Sequence, residues 1–283
     1  MVHCPRAWCT ARGRWPVVVK PTGSAGTDGV RICATAGEVR EAAAAVLGAE
    51  NIFGAPNTTV LVEGFLAGQE YMVNTVSADG WHRVLEVWRT VKRRQEGANV
   101  YDYFELTDPL DDGGARVVTA ARAVLDALGF RWGPAHLELI DAPGGAELVE
   151  VSPRFHGGID LSATTAALGT NQVVDTVRAL IGPDRYRAAH PPVAPVRAAC
   201  SSVILLCPRT GVLTREPDWD ALRHLKTFHS GKSRIALGQR VRRTFDMFTS
   251  AGNVYLVGEP EEVLADREVA RRWAEEELAA AIS

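Results

Sequence analysis

The stretch HLELIDAPGGAELVEVSPRFHGG, residues 136–158, decides the fold of this chain. Two segments of alternating apolar and polar residues flank the turn-rich letters APGGA, and this pattern predicts a β-hairpin. If residues 142–146 form a five-residue loop, Glu138 lies directly opposite Glu150 on one face of the sheet. The sequence therefore predicts two carboxylates side by side.

Like charges that face each other on a sheet destabilise it, and a bound divalent cation would turn their repulsion into attraction. Magnesium suits such a site because it prefers oxygen ligands and needs only one or two carboxylates, with water and substrate phosphates completing its coordination. Arg154 is predicted two strand positions beyond Ser152, on the face of Glu150, where a guanidinium would hold an anionic oxygen. The hairpin thus predicts a metal and phosphate site. The alternative is an exposed sheet face with two solvated glutamates.

Composition and charge exclude several other classes of protein. The chain has 283 residues, of which 46% are hydrophobic and 23% charged, and its formal net charge is -3. This is ordinary globular composition, and neither sign of charge indicates a nucleic-acid or membrane-surface binder. The five scattered cysteines form neither a zinc spacing nor a disulfide framework, and residues 1–14 lack the apolar core of a secretory signal. We therefore expect a reducing cytoplasm, with the ordered protein beginning near Trp15.

A lysine and a glycine-rich loop follow at the start of this ordered part. The β-branched run at residues 15–20 predicts a strand that ends at Lys20, and the loop TGSAGTDGV comes next. Such a loop can turn consecutive backbone N–H groups toward a phosphate. Taken alone, an ordinary hairpin loop is the favoured interpretation, because Gly and Ser are enriched in turns. The adjacent Lys20 strengthens the phosphate hypothesis.

The segment EGFLAGQEY has the pattern of a hinge beside a flat apolar ring. Glu63 and Glu70 frame two apolar residues, Phe65 and Leu66, so the backbone would meet the ring while the carboxylates bind hydroxyls or amines. The alternative is a surface turn with two solvated glutamates.

Three later segments give weaker signals. Residues 92–94 are basic and are predicted to be a solvated surface, and NVYDYFELTDPL, residues 99–110, is predicted to be irregular. The basic stretch 215–243 is either a solvated lid or a rim that faces anions, and the sequence leaves both open.

Taken together and in order, PVVVKP with its glycine-rich loop, VEGFLAGQEY and EVSPRFHGG resemble the ATP-grasp superfamily of carboxylate–amine ligases, from about Trp15 to Gly182. Within that superfamily the chain is most similar to L-amino-acid ligases that make dipeptides. The resemblance implies an α+β fold with a small α/β lid, a central antiparallel sheet with helices, and a C-terminal α+β lobe. The implied domains are an irregular N-terminus at 1–14, a lid subdomain at 15–62, a central subdomain with the metal site at 63–186, a linker at 187–195 and a C-terminal lobe at 196–283.

The resemblance also implies roles for individual residues. Arg154 would be catalytic, and Glu138, Glu150 and Ser152 would bind the metal. The implied nucleotide-binding residues are Lys20, Gly23, Ser24, Gly26, Gly29, Glu63, Phe65, Leu66 and Glu70. The implied cofactors are ATP and Mg²⁺, with Mn²⁺ as an alternative ion.

The implied reaction joins a small-molecule carboxylate to an amine through an acyl phosphate, giving an amide or dipeptide, ADP and phosphate. Neither nucleic acid nor a membrane is an expected partner, and a homodimer is left open. The alternatives are a carboxylase or purine-pathway ligase, or a degenerate nucleotide-binding module without turnover.

The chain departs from the family pattern in several ways. Ser152 stands where the family usually has a metal-binding asparagine, so the number of magnesium ions is left open. The family's N-terminal domain and its earlier phosphate-binding lysine have no counterpart, and an upstream portion is expected to be absent from this chain.

Gly157 and Gly158 are expected to open a helix whose N–H groups hold a substrate carboxylate. For His156, a hydrogen bond at the helix start is favoured over a stacking or substrate-facing role.

Overall fold

The computed structural model describes residues 15–95, 98–158 and 160–283. These residues form two compact units. The described part of the first unit is residues 15–67 with Asp246–Phe248, and the second unit consists of Gly68–Phe245 and Thr249–Ser283.

The first unit is a small antiparallel sheet with one face against a helix. Its elements are β1 (Val17–Pro21), β2 (Arg31–Cys33), α1 (Ala36–Val46) and β3 (Val60–Gly64), with the strand order β2-β1-β3. The residues that alternate along β1 point toward α1 and are shielded from water, which supplies the driving force for this small core. Its buried members are Val17, Val19, Cys33, Val39 and Ala42.

The second unit is built on a large antiparallel sheet. Its longer strands are β4 (Gln69–Ala78), β5 (Trp81–Gln95), β6 (Ala98–Leu106), β7 (Trp132–Ala142), β8 (Gly145–Ser152), β9 (Ala199–Leu205), β11 (Phe228–Ser233) and β13 (Gly252–Gly258). These eight strands have the order β11-β13-β9-β6-β5-β4-β7-β8, and the short strands β10 (Gly211–Val212) and β12 (Arg240–Val241) pair with each other. The helices are α2 (Asp112–Ala127), α3 (Leu161–Leu168), α4 (Gln172–Ile181), α5 (Pro183–Ala189), α6 (Trp219–Arg223) and α7 (Pro260–Ala281). None of the helices in the described residues is long and apolar enough to cross a membrane.

One face of the large sheet is apolar and covered by two helices. Val73 and Leu137 are fully buried in the cluster that includes residues of α2, and Val203 and Leu256 are buried with residues of α7. Burying a side chain of this size contributes about 1.5–3 kcal/mol. Because side chains alternate along each strand, the intervening residues point to the opposite face, which carries the candidate site.

The turn of the β7–β8 hairpin is tighter than expected, and the predicted five-residue loop at 142–146 is wrong. Ala142 pairs with Gly145, which leaves a two-residue turn. Gly145 has a φ of 120°, a conformation open mainly to glycine. A β-bulge next to Glu138 then shifts the register by one residue and restores the predicted pairing with Glu150.

The segment predicted to be irregular at 99–110 contributes β6, which pairs with both β5 and β9. Its acidic side chains are neutralised by partners from other elements: Asp102 accepts from Arg271 over 2.5 Å, and Glu105 pairs with Arg89. These contacts reconcile the charged side chains with a position between two strands.

The longer strands from 196–283, β9, β11 and β13, join the same sheet as β4 to β8. β9 pairs with β6, and β13 pairs with β9. Within the predicted linker 187–195, Val193 forms a parallel bridge with Val84 of β5. Whether each of the predicted ranges folds as an independent domain stays a prediction.

Candidate functional site

The two hairpin glutamates face each other across β7 and β8. Glu138 and Glu150 are Cα partners in the ladder. The Glu138 side chain is 28% exposed, and Glu150 is exposed. Two carboxylates in this arrangement repel each other in the absence of a counter-ion, so the hairpin provides a site that a cation would stabilise.

The neighbours of Glu138 favour its ionised form. Burial acts to raise the pKa of this carboxyl, but His136 and Lys92 outweigh burial and hold the pKa below its usual range. His136 Nε2 lies 3.5 Å from Glu138 Oε1, an ion-pair distance rather than a short hydrogen bond. Glu138 is therefore negatively charged at neutral pH.

Ser152 supports Glu150. Its Oγ donates a hydrogen bond of 2.9 Å to Glu150 Oε1, so the hydroxyl proton is directed to the carboxylate. The contact orients one Glu150 oxygen and leaves the other for a ligand. Direct coordination of a metal by Ser152 stays a prediction.

Arg154 lies beyond the end of β8, so its predicted position within the strand is wrong. The strand ends at Ser152, and the Arg154 backbone N–H donates to the Ser152 carbonyl in a tight bend. The exposed guanidinium donates through Nη1 to the carbonyl of Phe155 over 2.9 Å. The break follows Pro153, which lacks the N–H that a ladder needs. Arg154 is thus next to the carboxylate pair in sequence, on a loop.

Glu70 occupies the same face of the sheet as Glu138. The two lie on neighbouring strands, since Glu70 pairs with Ile140. Lys92 Nζ donates to Glu70 Oε2 over 2.6 Å and lies 4.5 Å from the centroid of the Tyr101 ring. Burial raises the pKa of Glu70 although Lys92 acts to lower it.

The prediction that 92–94 is a solvated surface is wrong for Lys92, whose side chain is 25% exposed and paired. Sequence reasoning missed this lysine because a run of basic residues resembles a solvated surface. Its position in the strand was a usable signal. Side chains alternate along β5, so Lys92 lies on the same face of the sheet as the buried Trp88.

In the first unit, Lys20 and Glu63 form an ion pair with a distance of 2.7 Å. They lie on adjacent strands, where Lys20 is the Cα partner of Leu61, so the two side chains are diagonal neighbours on one face. Their side chains are 20% and 38% exposed. The strand-end lysine therefore has a carboxylate partner within its own sheet.

The glycine-rich loop between β1 and β2 has a defined backbone. Gly26 and Gly29 have φ values of 65° and 67°, and Thr27 lies between them with a φ of 69°. Ser24 Oγ donates to Asp28 Oδ2 over 2.6 Å. The carbonyl of Gly23 accepts from the Asn51 amide over 2.9 Å. The left-handed backbone explains Gly26 and Gly29, because glycine adopts this conformation without a steric penalty. The Ser24 hydroxyl is directed to Asp28 of the same loop.

The two apolar residues after Glu63 differ in exposure. Phe65 is 40% exposed and Leu66 is half-buried. The Phe65 backbone N–H donates to the Pro16 carbonyl over 3.1 Å, which continues the pairing of β1 with β3. Their proposed contact with an adenine ring stays a prediction.

The predicted helix opening at Gly157 and Gly158 is wrong. Helix α3 begins at Leu161, and its N-cap is Asp160, whose Oδ1 accepts from the N–H groups of Ser162 and Ala163. Burial acts to raise the pKa of Asp160, but these bonds and those from two serine hydroxyls lower it to about 2. The helix N-terminus therefore binds its own carboxylate rather than a substrate's.

His156 packs against His136, with ring centroids 4.4 Å apart. Its backbone N–H also donates to Gln172 Oε1 over 3.3 Å, at the first residue of α4. Burial lowers the pKa of His156 to about 3, so the ring is neutral at pH 7. The two rings are tilted by 45° to each other, so they are in contact but not stacked, and the backbone hydrogen bond lies at the start of α4. A stacking or substrate-facing role for His156 stays a prediction.

Sequence reasoning also missed a buried polar network behind Glu138. It consists of Asn74, Glu86, Trp88 and His136, each 3% exposed or less. The available signal was Glu86, a glutamate inside the apolar run LEVW. The sequence did not predict which strands lie beside β5, so it could not identify the partners Asn74 and His136.

The donor chemistry at the hairpin fits Mg²⁺. Two carboxylates supply oxygen ligands, and Mg²⁺ commonly takes its remaining ligands from water and phosphate. Within the described residues, no three His, Cys, Asp or Glu side chains converge to form a complete metal site. An ion at Glu138 and Glu150 would take its further ligands from other kinds of oxygen, such as those of water and phosphate.

Comparison with known proteins agrees with this architecture. Residues 13–163, more than half of the chain, match the ATP-grasp domain family. The chain therefore belongs to the ATP-grasp family, and its α+β fold is the one that the sequence predicted. ATP-grasp enzymes in general use ATP and Mg²⁺.

Three individual proteins are similar to this chain. Dapdiamide A synthase of Enterobacter agglomerans is 31% identical over 257 residues, which cover 89% of this chain and 60% of that protein. The L-amino acid ligase of Bacillus licheniformis has a TM-score of 0.73 at 18% identity, covering 93% of this chain and 62% of the other. The carboxyaminoimidazole ribonucleotide synthase of Aspergillus clavatus, in complex with ATP, has a TM-score of 0.65 at 11% identity, with coverages of 96% and 65%. The chain thus spans less than two thirds of the length of each, and the two structural similarities establish the fold alone.

Proposed function

We propose that this protein is an ATP-dependent ligase that joins a small-molecule carboxylate, an amino acid, to an amine. The observation that carries the proposal is the pairing of Glu138 with Glu150 on one face of an ATP-grasp sheet. The similarity to dapdiamide A synthase and to an L-amino acid ligase supports this class over other ATP-grasp reactions. The products are an amide or dipeptide, ADP and phosphate.

Each unit contributes a set of residues to the proposal. In the first unit, Lys20 contacts the α- and β-phosphates, and the loop residues Gly23, Ser24, Gly26 and Gly29 cover the triphosphate. Glu63, Phe65 and Leu66 line the adenine. In the second unit, Glu70 binds the ribose hydroxyls, Glu138 and Glu150 hold Mg²⁺, and Ser152 orients Glu150.

The chemistry proceeds in two steps. A carboxylate oxygen of the first substrate attacks the γ-phosphorus, and the bond from that phosphorus to the ADP oxygen breaks. The amine nitrogen of the second substrate then attacks the carbonyl carbon, loses a proton, and phosphate leaves. Bound Mg²⁺ supplies charge neutralisation at the phosphates. Arg154 stabilises the negative charge of the acyl phosphate and of the tetrahedral species, a contribution of several kcal/mol for a preorganised cation.

Several finer points belong to this proposal. Mn²⁺ would substitute for Mg²⁺ because it accepts the same oxygen ligands. A reducing cytoplasm is the proposed location, and the described cysteines Cys33, Cys200 and Cys207 are free and buried. The partners are small molecules, with a homodimer left open.

One observation favours a second candidate, a nucleotide-binding module without turnover. The Ser152 hydroxyl donates to Glu150, where the family usually has an asparagine that binds metal. Loss of a ligand from the ion would weaken catalysis more than nucleotide binding. A carboxylase or purine-pathway ligase has only the shared fold in its favour.

The first experiment is a calorimetric titration with ATP, with and without Mg²⁺. Lys20→Ala is expected to weaken binding about tenfold or more, because it removes a charge from the phosphates. Lys226→Ala is the matched control, since Lys226 also pairs with a glutamate, Glu262, and belongs to the second unit. Binding that is equal in both variants and in the unaltered protein would contradict the proposed nucleotide site.

Turnover separates the candidate functions. Amino acids are screened in pairs for ADP release that depends on both substrates, with mass spectrometry of the product. Formation of an amide supports the ligase. Nucleotide binding without acceptor-dependent ADP release supports the module, and release that depends on bicarbonate supports a carboxylase.

A further inference from the structure

We propose that Tyr255 is a positioning residue that fixes the loop carrying Arg154, so that the C-terminal strands β11 and β13 set where this guanidinium lies. The inference rests on the proposed function, because it deepens the role given there to Arg154. Tyr255 itself would touch neither the nucleotide nor the substrates. The loop, residues 153–158, is called the arginine loop below.

The arginine loop begins where β8 ends, and its own backbone holds Arg154. The Arg154 N–H donates to the carbonyl of Ser152, and the guanidinium donates through Nη1 to the carbonyl of Phe155 over 2.9 Å. Both contacts join near neighbours in the chain, so they fix Arg154 relative to the loop backbone. The position of the guanidinium therefore depends on what anchors the rest of the loop.

Two contacts from distant elements anchor the arginine loop. In its middle, the His156 N–H donates to Gln172 Oε1 over 3.3 Å, which is longer than usual for such a bond. At its end, the Tyr255 hydroxyl donates to the Gly158 carbonyl over 2.9 Å. A carbonyl oxygen only accepts, so the phenol proton is committed to this bond. The shorter of the two contacts thus comes from β13, 97 residues further along the chain.

Tyr255 acts together with a serine on the neighbouring strand. It lies directly opposite Ser230 in the ladder between β13 and β11, and the Ser230 hydroxyl donates to Asp160 Oδ2 over 2.6 Å. Asp160 is the N-cap of α3. Two adjacent hydroxyls of the C-terminal strands therefore hold the chain at Gly158 and at Asp160, between the arginine loop and helix α3.

The side chain of Tyr255 lies on the face of the sheet that carries the candidate site. Residues directly opposite each other in a ladder share a face. From Tyr255 such partners lead across the sheet to Glu70, in the order Ser202, Phe104 and Thr90. Glu70 in turn shares the face of Glu138. The bond to the Gly158 carbonyl is therefore made on the face of the carboxylate pair.

The surroundings make this hydroxyl a rigid anchor. Tyr255 is 5% exposed, and its strand is paired on both sides. Burial raises the pKa of the phenol, although Ser202 and the Asp160 backbone act to lower it, so the hydroxyl keeps its proton at neutral pH. Packing alone does not require that hydroxyl, because phenylalanine would fill the same space without the cost of burying a polar group. What the hydroxyl adds is the link to the arginine loop.

The first test is Tyr255→Phe, which removes the hydroxyl and keeps the ring. We expect kcat for amino-acid-dependent ADP release to fall about tenfold, because misplacing a catalytic group by about 1 Å can cost up to about 100-fold. KM for ATP should change by about twofold or less, since Arg154 acts on the acyl phosphate rather than on the bound nucleotide.

A readout besides activity is hydrogen–deuterium exchange of the arginine loop, measured by mass spectrometry. Without its anchor the loop opens more often, so the peptide containing residues 153–158 should exchange about tenfold faster in Tyr255→Phe. General destabilisation would instead speed exchange throughout the chain.

Tyr186 provides the matched control. It is 2% exposed, and its hydroxyl also donates a hydrogen bond, to Asp175 Oδ2 over 2.8 Å. Tyr186→Phe is expected to lower the melting temperature and to leave both kcat and the exchange of the arginine loop unchanged. Ser202→Ala removes another partner of the Tyr255 phenol and keeps the bond to Gly158, so it should also leave kcat unchanged.

A double-mutant cycle tests whether Tyr255 acts through Arg154. If it does, Tyr255→Phe should reduce kcat by only about threefold or less once Arg154→Lys is in place. Should Tyr255→Phe fail to fold, Ser230→Ala removes the neighbouring contact to Asp160, and a loss of kcat is again expected.

The outcomes are distinct. A loss of kcat and faster exchange confined to the arginine loop in Tyr255→Phe, with neither in Tyr186→Phe, support the inference. Unchanged kcat in Tyr255→Phe, an equal loss in Tyr186→Phe, or a loss that is undiminished in the Arg154→Lys background overturns it while the proposed function stands. Absence of acceptor-dependent ADP release by the unaltered protein overturns the proposed function, and the inference with it.

Discussion

Two groups of carboxylates in the second unit are satisfied in opposite ways. Asp175 is fully buried, and its Oδ2 accepts from Arg83 over 2.5 Å and from Tyr186 over 2.8 Å, while its Oδ1 accepts from Thr170 over 2.6 Å. Glu138 and Glu150 instead face each other across a ladder. The first arrangement balances its charge inside the chain and stabilises the fold. The second places two like charges together, and their balance would come from a ligand.

The largest effect is expected when the buried carboxylate of Asp175 is removed. Asp175→Ala leaves Arg83 buried without its carboxylate, and we expect a loss of about 3–5 kcal/mol in the free energy of unfolding. Urea denaturation measures this loss. The control is Asp220→Ala, whose exposed pair with Arg223 should contribute about 0.5 kcal/mol or less. A loss below about 1 kcal/mol for Asp175→Ala would show that the network is not structural.

The second prediction removes one member of the facing pair. Glu150→Ala is expected to lower amino-acid-dependent ADP release by about 100-fold or more, because the ion loses a ligand. The free energy of unfolding should stay constant or rise by some tenths of a kcal/mol, because like-charge repulsion is relieved. Glu147→Ala, on the same strand and exposed, is the control and should change neither. Full activity of Glu150→Ala would refute the proposed site.

The third prediction concerns the cation next to this pair. Arg154→Lys is expected to reduce kcat about tenfold with little change in stability, because lysine retains the charge but loses the planar donor pair on an exposed loop. Steady-state kinetics compares kcat and KM for each substrate. Arg223→Lys, at the end of helix α6, serves as the control. A change in KM for ATP alone would assign Arg154 to nucleotide binding instead of catalysis.

The smallest expected effect concerns a fourth carboxylate, that of Asp160. Asp160 is satisfied from within the chain, and hydrogen bonds lower its pKa to about 2 against the opposing effect of burial. The unfolded chain then binds this proton more tightly, so the stabilisation is present above about pH 4 and is lost as pH falls toward 2. Between these pH values the melting temperature of Asp160→Asn should fall less steeply than that of the unaltered protein. Parallel curves would exclude Asp160 as a source of the acid sensitivity.

The sequence was sufficient to predict the ATP-grasp fold, because the fold is recognised from the order of its motifs. The pairing of Glu138 with Glu150 was also predicted, but from a five-residue loop, where the structure has a two-residue turn and a β-bulge. The sequence was insufficient for the network of Asn74, Glu86 and His136. Those residues are far apart along the chain and meet only because β4 lies between β5 and β7. No local pattern records which strands are neighbours.

Local patterns also misled where tertiary partners decide the outcome. The acidic and aromatic letters of β6 were interpreted as irregular, although Arg271 and Arg89 neutralise Asp102 and Glu105 in the sheet. Gly157 and Gly158 were predicted to open a helix that holds a substrate carboxylate, although the helix begins at Leu161 and Asp160 caps it. In both cases the polar groups have partners within the protein that the local sequence does not indicate.

The bulge beside Glu138 affects how the hairpin can change over evolutionary time. It takes up the odd residue between the turn and the carboxylate pair, so the turn and the pair are not tied to one register. A residue gained or lost at the turn would otherwise move one glutamate to the opposite face of the sheet. The bulge therefore makes a two-residue turn compatible with a hairpin in which Glu138 and Glu150 stay opposite each other.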